Sequence, residues 1–363
     1  MYRNLNNKRI LIIKQSSLGD VVHTLPVAHA LKRTFPHCEI GWVVEQGFAE
    51  ILDRDKSVDH VYPIHIPSTS SPGAKRGVYA RAFRASIQTL AFLRKQFSPA
   101  PYDLLLDLHA SFRSGLISLM NPGGVRIGFA DAREGNTLFQ HELVANAEKK
   151  QHALEKNLLF CEHFSCTVTG DDLYMETGGG DRQAAKEFLG EHFITGSRPY
   201  IYANPTARWQ TKFWRKKRWA QFADDMIQSG TQVVFGGSVH DHEYITAVVK
   251  QMKQPPVVSA GKLSIMQSAA LMQSASLYVG LDTGPMHMAA MVGTPVVALF
   301  GPTHPERVGP YGVAHRIVRA QGVDCLCCRK RTCEKTTCME AIGVEQVKTA
   351  VTDLLKGASN HAE

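Results

Sequence analysis

The sequence predicts an α/β protein made of two doubly wound, Rossmann-like domains facing a central cleft. Three observations carry that expectation. The chain has 363 residues, 44% apolar and 20% charged, and this length favours two domains of about 150 to 200 residues. Short apolar runs of strand length alternate with helix-like segments in both halves, the pattern of parallel sheets covered by helices on both faces. Between the two series, from about residue 166 to 181, the alternation dissolves into Thr167-Val168-Thr169-Gly170-Asp171-Asp172 and then Gly178-Gly179-Gly180, which reads as a connection. The domains are placed at 1–175 and 176–345, with a C-terminal helix and tail over 346–363.

The first series opens with the apolar run Arg9 to Lys14, a buried strand that leads through a polar loop into a helix-like segment from Asp20 to Thr34. Strands follow at Glu39 to Glu45 and His60 to Ile66, then the basic segment Val78 to Phe97, then strands at Asp103 to Asp107 and Val125 to Phe129. The second series has strands at Tyr200 to Ala203, Gln232 to Phe235, Pro256 to Ser259, Leu277 to Val279 and Pro295 to Phe300. Amphipathic segments such as Trp219 to Gln228 and Ser264 to Ser274 lie between them. Ligands of such sheets bind outside the carboxyl ends of the strands.

The longest apolar stretches, such as Pro295 to Phe300, fall far short of the roughly 20 residues of a membrane span. The first residues run straight into a strand without a signal-peptide pattern, so a cytoplasmic protein is expected. A formal charge of +8 suggests an anionic partner: nucleic acid, phospholipid head groups or an acidic glycolipid. Five of the eight cysteines lie between Cys325 and Cys338. In a reducing compartment a disulfide framework is the weaker reading.

The turn after the first strand, Lys14-Gln15-Ser16-Ser17-Leu18-Gly19-Asp20, holds one glycine where a dinucleotide fold would carry three, which disfavours a nicotinamide cofactor. It does place Asp20 at a strand end and near a helix start, where by position alone it reads as an acid complementing the helix dipole. The stretch Asp282-Thr283-Gly284-Pro285-Met286-His287 follows another strand. Thr283 suits a cap and Pro285 a first turn, so free N–H groups there would form an anion site, or simply a well-capped structural helix. A third stretch, Asn204 to Trp214, brings Thr206 and Lys212 to the same sheet edge, where a compact ammonium suits a diphosphate.

Together these stretches resemble the ADP-heptose:lipopolysaccharide heptosyltransferases of glycosyltransferase family 9 over nearly the whole chain. Lys14 to Pro26, Asp282 to His287 and Phe300-Gly301-Pro302-Thr303-His304-Pro305 carry the resemblance, and the first is closer to heptosyltransferase I than to II. The resemblance implies a GT-B fold and an inverting transfer of heptose from ADP-heptose to an inner-core acceptor of the Kdo–lipid A type. The work would be done at the cytoplasmic face of the inner membrane. Asp20 matches the general base; Thr206, Lys212, Asp282, Thr283, Gly284 and His287 match the grip on diphosphate and sugar. Asp241 falls at the ribose and Leu263 at the adenine. No metal is obligatory in this scheme, although Mg²⁺ stimulation is compatible with it; Asp53-Arg54-Asp55 lies away from the donor loops.

This chain departs from heptosyltransferase I after its third strand, where Pro67 to Gly73 replaces basic residues and the cations come later, at Lys75, Arg76, Arg81 and Arg84. These four, with Arg133, are the acceptor-side candidates; for Arg81 and Arg84 a solvated helix face is an equal reading. The spacing of Cys325, Cys328, Cys333 and Cys338 admits a structural zinc site. Two alternatives keep other purposes for the same residues: a different nucleotide sugar or core acceptor on the same fold, including a heptosyltransferase II-like one, and a zinc-ribbon nucleic-acid-binding protein. The second leaves Asp20 and the 282–287 loop without a role, so no nucleic-acid partner is expected.

Overall fold

The structure, a computed structural model, describes residues 4–66, 77–146, 152–194 and 199–359. It divides into two compact units, Met1–Leu173 and Tyr174–Glu363. Among the described residues, the first unit carries six parallel strands: β1 Arg9–Ile13, β2 Glu39–Glu45, β3 His60–Ile64, β4 Leu104–Asp107, β5 Val125–Phe129 and β6 Glu142–Val144, in the order β3-β2-β1-β4-β5-β6. The second carries β7 Tyr200–Asn204, β8 Gln232–Phe235, β9 Val257–Val258, β10 Leu277–Leu281, β11 Val296–Phe300 and β12 His315–Arg319, in the order β12-β11-β10-β7-β8-β9. The two orders are one topology. In each unit the chain builds outward from its first strand, then crosses back to add three strands on the other side. The reversal lies between β1 and β4 in one unit and between β7 and β10 in the other, and at such switch points the strand ends part to leave a crevice.

The central strands form where they do because parallel strands are covered on both faces and therefore read as unbroken apolar runs. Ile10 to Ile13 and all of β4, β7, β10 and β11 are buried. In the first unit, Leu11, Ile13, Val43 and Leu105 share a core with Phe97 and Tyr102. In the second, Trp214 and Trp219 meet edge to face against the sheet, and the helix Val344–Ser359 buries Val347, Val351 and Leu354 in the same core. No described helix is long and apolar enough to cross a membrane.

Three departures from the sequence reading have local causes. The segment 20–34 is two helices, Leu18–Val22 and Leu25–Thr34. Pro26 has no N–H with which to continue the first; before it the Thr24 N–H turns to the Val21 carbonyl at 3.0 Å, and the Thr24 hydroxyl donates to the Asp20 carbonyl at 2.8 Å in its place. Strands β6 and β12 were not anticipated, because both lie at sheet edges and carry the polar residues Glu142, His315, Arg316 and Arg319 that edges require. Strand β3 ends at Ile64, two residues before its expected end.

Candidate active-site residues

In the first unit the switch point gathers four titratable side chains. The β1–β4 register pairs Ile13 with Asp107, so Lys14 and Leu108, each one residue further, emerge side by side. The buried Lys14 ammonium donates to the Leu108 carbonyl at 2.7 Å and lies 4.0 Å from Asp20 Oδ1. Asp20 is in the first turn of its helix, and its Oδ2 accepts the Ser17 N–H at 2.8 Å and the Ser17 hydroxyl at 2.7 Å. The bland reading of a helix-start acid is therefore correct for one oxygen, while the side chain remains 48% exposed. Desolvation pushes the Asp20 pKa up, but the Lys14 charge and the two Ser17 bonds outweigh it and hold the carboxyl below the usual carboxylate range.

Lys14, His109 and Asp107 were not singled out from the sequence. Burial, then Lys14, pushes His109 down to about 4, so its ring is neutral beside Asp20 at neutral pH. Asp107 is fully buried and its pKa is raised by desolvation. It accepts from Asn136 Nδ2 at 2.7 Å and from the His109 and Ala110 N–H groups at 3.1 and 3.0 Å, which shapes the loop that carries His109.

The acceptor-side candidates are dispersed. Arg133 is exposed in the loop after β5. Its neighbour Glu134 accepts the Phe112 N–H at 3.2 Å, tying that loop to the start of the helix Phe112–Ser118. Arg113 on this helix, absent from the sequence reading, lies close enough to His109 to help depress its pKa. Arg81 and Arg84 are exposed on the helix Val78–Phe97. Lys75 and Arg76, with the 67–73 stretch, lie outside the described residues.

In the second unit the predicted donor residues fall on four adjacent loops at the carboxyl edge of the sheet. Asn204 pairs with Gly280 across β7 and β10, which sets the 205–212 loop beside the 282–287 loop. Lys212 Nζ bonds Asp282 Oδ2 at 2.7 Å and the Asp282 carbonyl at 2.9 Å. Thr206 is buried nearby in the same loop. Gly284 opens the helix Gly284–Met291 and the buried His287 lies one turn inside it. Thr283 occupies the cap position without a side-chain cap bond, contrary to expectation. The first turn is therefore left without that cap; Pro285 has no N–H and the Met286 N–H turns back to the Thr283 carbonyl at 3.1 Å, so it is the positive end of the helix dipole that favours an anion here.

Beyond the switch point, Asp241 Oδ2 accepts the Ser238 N–H at 2.7 Å and its hydroxyl at 2.6 Å. Half-buried Leu263 follows β9. The two loops are latched by the Gly261 N–H on the Gly237 carbonyl at 3.0 Å. Gly261 has φ +73°, and a Cβ there would meet Val239 Cα at 3.0 Å, so this close approach requires glycine. Three further features went unforeseen. The Trp209 ring has Lys212 Nζ 4.8 Å and the Arg331 guanidinium 5.1 Å from its centroid. Asn204 Oδ1 and Thr303 Oγ1 are buried at the same edge without a protein partner, the condition of groups that await a ligand or water. Trp209 and Lys212 are neighbours in one loop and could have been paired from the sequence; Arg331, Asn204 and Thr303 come to this edge only through the tertiary fold.

Cys325, Cys328 and Cys333 are exposed and Cys338 is buried, all as free thiols. Burial, and then these three thiols, push Cys338 up to about 11. Among the described residues, the group whose ligand atoms lie within 4.8 Å of one another is not these four but His304, Glu306 and Cys327. That trio is already engaged: His304 Nδ1 bonds Glu306 Oε1 at 2.8 Å, and Cys327 Sγ accepts from Arg319 at 2.8 Å. The segment is laced to the sheet edge by the Cys327 N–H on the Gly301 carbonyl and the Thr211 hydroxyl on the Lys330 carbonyl. The Asp53-Arg54-Asp55 motif is structural at its second acid, where buried Asp55 holds His29 Nε2 at 2.6 Å.

The family model described as glycosyltransferase family 9 (heptosyltransferase) matches residues 91–338. Lipopolysaccharide heptosyltransferase 1 of Pseudomonas aeruginosa is 28% identical over 336 residues, covering 90% of this chain and 87% of that protein. The protein of the same name from Escherichia coli O18:K1:H7 is 27% identical over 320 residues, covering 86% and 92%. Among solved structures, a family 9 glycosyltransferase of Veillonella parvula has a TM-score of 0.83 at 24% identity, covering 98% and 99% of the two chains. An E. coli heptosyltransferase solved with ADP has a TM-score of 0.70 at 23% identity, covering 95% and 99%.

Proposed function

Because the chain belongs to glycosyltransferase family 9, the heptosyltransferases, we propose that it transfers heptose from ADP-heptose to an anionic inner-core glycolipid of the Kdo–lipid A type, with inversion. The observation that carries this reading is the donor cradle, in which the Lys212 ammonium meets the 282–287 loop at a helix N-terminus. The β8 and β9 loops, with Asp241 and Leu263, continue the same edge of the sheet, and the ribose and adenine are assigned to them. On the first unit, Asp20 is an ionised carboxylate with one oxygen left for a substrate.

In the reaction an acceptor hydroxyl attacks the anomeric carbon and its proton passes to Asp20. The bond from that carbon to the phosphate oxygen breaks, and ADP leaves with the electron pair. Negative charge grows on the leaving phosphate, where the helix N-terminus at Gly284 and Lys212 would stabilise it. The reading makes no metal obligatory, so turnover should persist in EDTA, with Mg²⁺ at most stimulatory. The enzyme would act in the cytoplasm at the inner-membrane face. Mass spectrometry of the products from ADP-heptose and a panel of core acceptors tests this reading: addition of one heptose to a Kdo-bearing acceptor is expected. Transfer from another nucleotide sugar alone would overturn the donor assignment.

Arg133 is proposed to meet the acceptor carboxylates. Arg133→Ala should raise acceptor KM and flatten its salt dependence, since exposed charges are screened over about 8 Å at physiological ionic strength. ADP affinity should not change. An acceptor KM indifferent to both salt and Arg133 would remove the residue from the acceptor site.

A further inference from the structure

The helix Val78–Phe97, which joins β3 to β4, is apolar on two sides. Its inner side buries Ala82, Thr89, Leu93 and Phe97. Its outer side presents Tyr79, Phe83 and Ile87, which are 72%, 68% and 53% exposed. Spaced at i, i+4 and i+8, the three form one stripe along the helix. Single exposed apolar residues are ordinary, but a contiguous row marks an interaction surface.

The charges around the stripe indicate what covers it. Arg81, Arg84, Arg94 and Lys95 are all exposed, and the helix contains no aspartate or glutamate. Phe97, at the far end of the helix, meets Tyr102 just ahead of β4, so the first turns with Tyr79 and Phe83 run toward the carboxyl edge of the first sheet, the edge that also carries Asp20. The helix packs against Phe112–Ser118, whose Phe112 is half-exposed. The loop carrying Arg133 adds Leu138, which is 88% exposed. An apolar row bordered by long cationic side chains is the composition of an interfacial helix, whose rings and aliphatic groups enter the boundary between head groups and acyl chains while arginines reach lipid phosphates.

We infer that the outer face of this helix docks the protein on the anionic surface of a lipid bilayer and presents the Asp20 edge of the first unit to a lipid-borne acceptor. The docking depends on the proposed function only for the nature of that acceptor. The test uses the full chain with phosphatidylcholine vesicles, with and without phosphatidylglycerol. Co-sedimentation is expected with the anionic vesicles and should weaken as salt rises. The double variant Phe83→Ser/Ile87→Ser should lower vesicle partitioning about tenfold or more, the equivalent of at least one apolar side chain kept in water. Arg81→Glu/Arg84→Glu should lower it as well and reduce its salt dependence.

Both variants alter exposed side chains, so unchanged thermal melting and ADP binding will report an intact fold. Phe83→Ser/Ile87→Ser should keep wild-type turnover on a delipidated, soluble acceptor and lose it on acceptor embedded in vesicles. Wild-type protein that binds ADP but ignores anionic vesicles would overturn the inference, as would variants that partition like wild type. So would a wild-type dimer that the Phe83→Ser/Ile87→Ser change dissolves, which would assign the stripe to a second copy of the chain. Vesicle binding without any heptose transfer would instead sink the proposed reaction and leave the docking face standing.

Discussion

Asp20→Asn should lower kcat by roughly 10²- to 10⁴-fold, the range for loss of a positioned general base, while ADP binding is retained. The amide has the shape of the carboxylate and its oxygen can still accept from Ser17, so the helix start should survive and the loss will report chemistry. Calorimetry with ADP and a thermal melt check that the variant is folded. The pH profile adds a second reading. A carboxyl held below the usual range is ionised, and competent as a base, above its folded pKa; activity is lost as pH falls through that value. The acid limb of kcat/KM should therefore lie below the ordinary carboxylate range. Lys14→Met removes the largest influence lowering that pKa, so the limb should move to higher pH while Asp20 remains present. An Asp20→Asn enzyme turning over near the wild-type rate would remove Asp20 from the chemistry, and an unmoved limb in Lys14→Met would remove Lys14 as its tuning partner.

Lys212→Ala should weaken ADP-heptose binding by about 1.5–3 kcal/mol, the range for a hydrogen bond to a charged group, or about ten- to over a hundredfold in Kd. A second effect accompanies it. The Lys212–Asp282 pair is largely buried, with side chains 15% and 7% exposed. Removing the ammonium strands the Asp282 carboxylate, which typically costs about 3–5 kcal/mol of stability. The two effects separate in the double variant. Lys212→Ala/Asp282→Asn should recover most of the lost Tm, because the stranded charge is gone, yet bind ADP more weakly than wild type, because the phosphates still lack their cation. Unchanged ADP affinity in Lys212→Ala would show that the diphosphate does not lie at this switch point.

Much of the architecture was legible because burial is written into local pattern. Strands β2, β5 and β8 have the bounds the sequence predicts, and the helix Val78–Phe97 runs between the residues proposed for it. These elements are continuous in sequence, and their apolar runs or periods need no knowledge of distant residues. Edge strands β6 and β12 were missed for the converse reason: a half-solvated strand carries polar residues and loses the signal. The break between Val22 and Leu25 was also readable in principle, since Pro26 cannot donate.

The candidate site divides in the same way. The types and order of its parts, Asp20 after the first strand, Lys212 after the seventh and the 282–287 loop at a helix start, were present in the linear sequence. So was the family they resemble. Which of them touch was decided by sheet register. Ile13 beside Asp107 brings His109 and Lys14 to Asp20, and Asn204 beside Gly280 brings Lys212 to Asp282, seventy residues away. The cysteines make the same point: their spacing admits a metal site, and it is the fold, with the backbone bonds of Cys327 and Arg329 to Gly301 and Pro302, that holds their segment on the sheet edge and sets Cys325, Cys328 and Cys333 near Cys338. Apolar pattern acts between neighbours in the chain and can be read along it. Contacts between charged groups far apart in sequence exist only once the strands have paired, and that pairing is a property of the folded sheet.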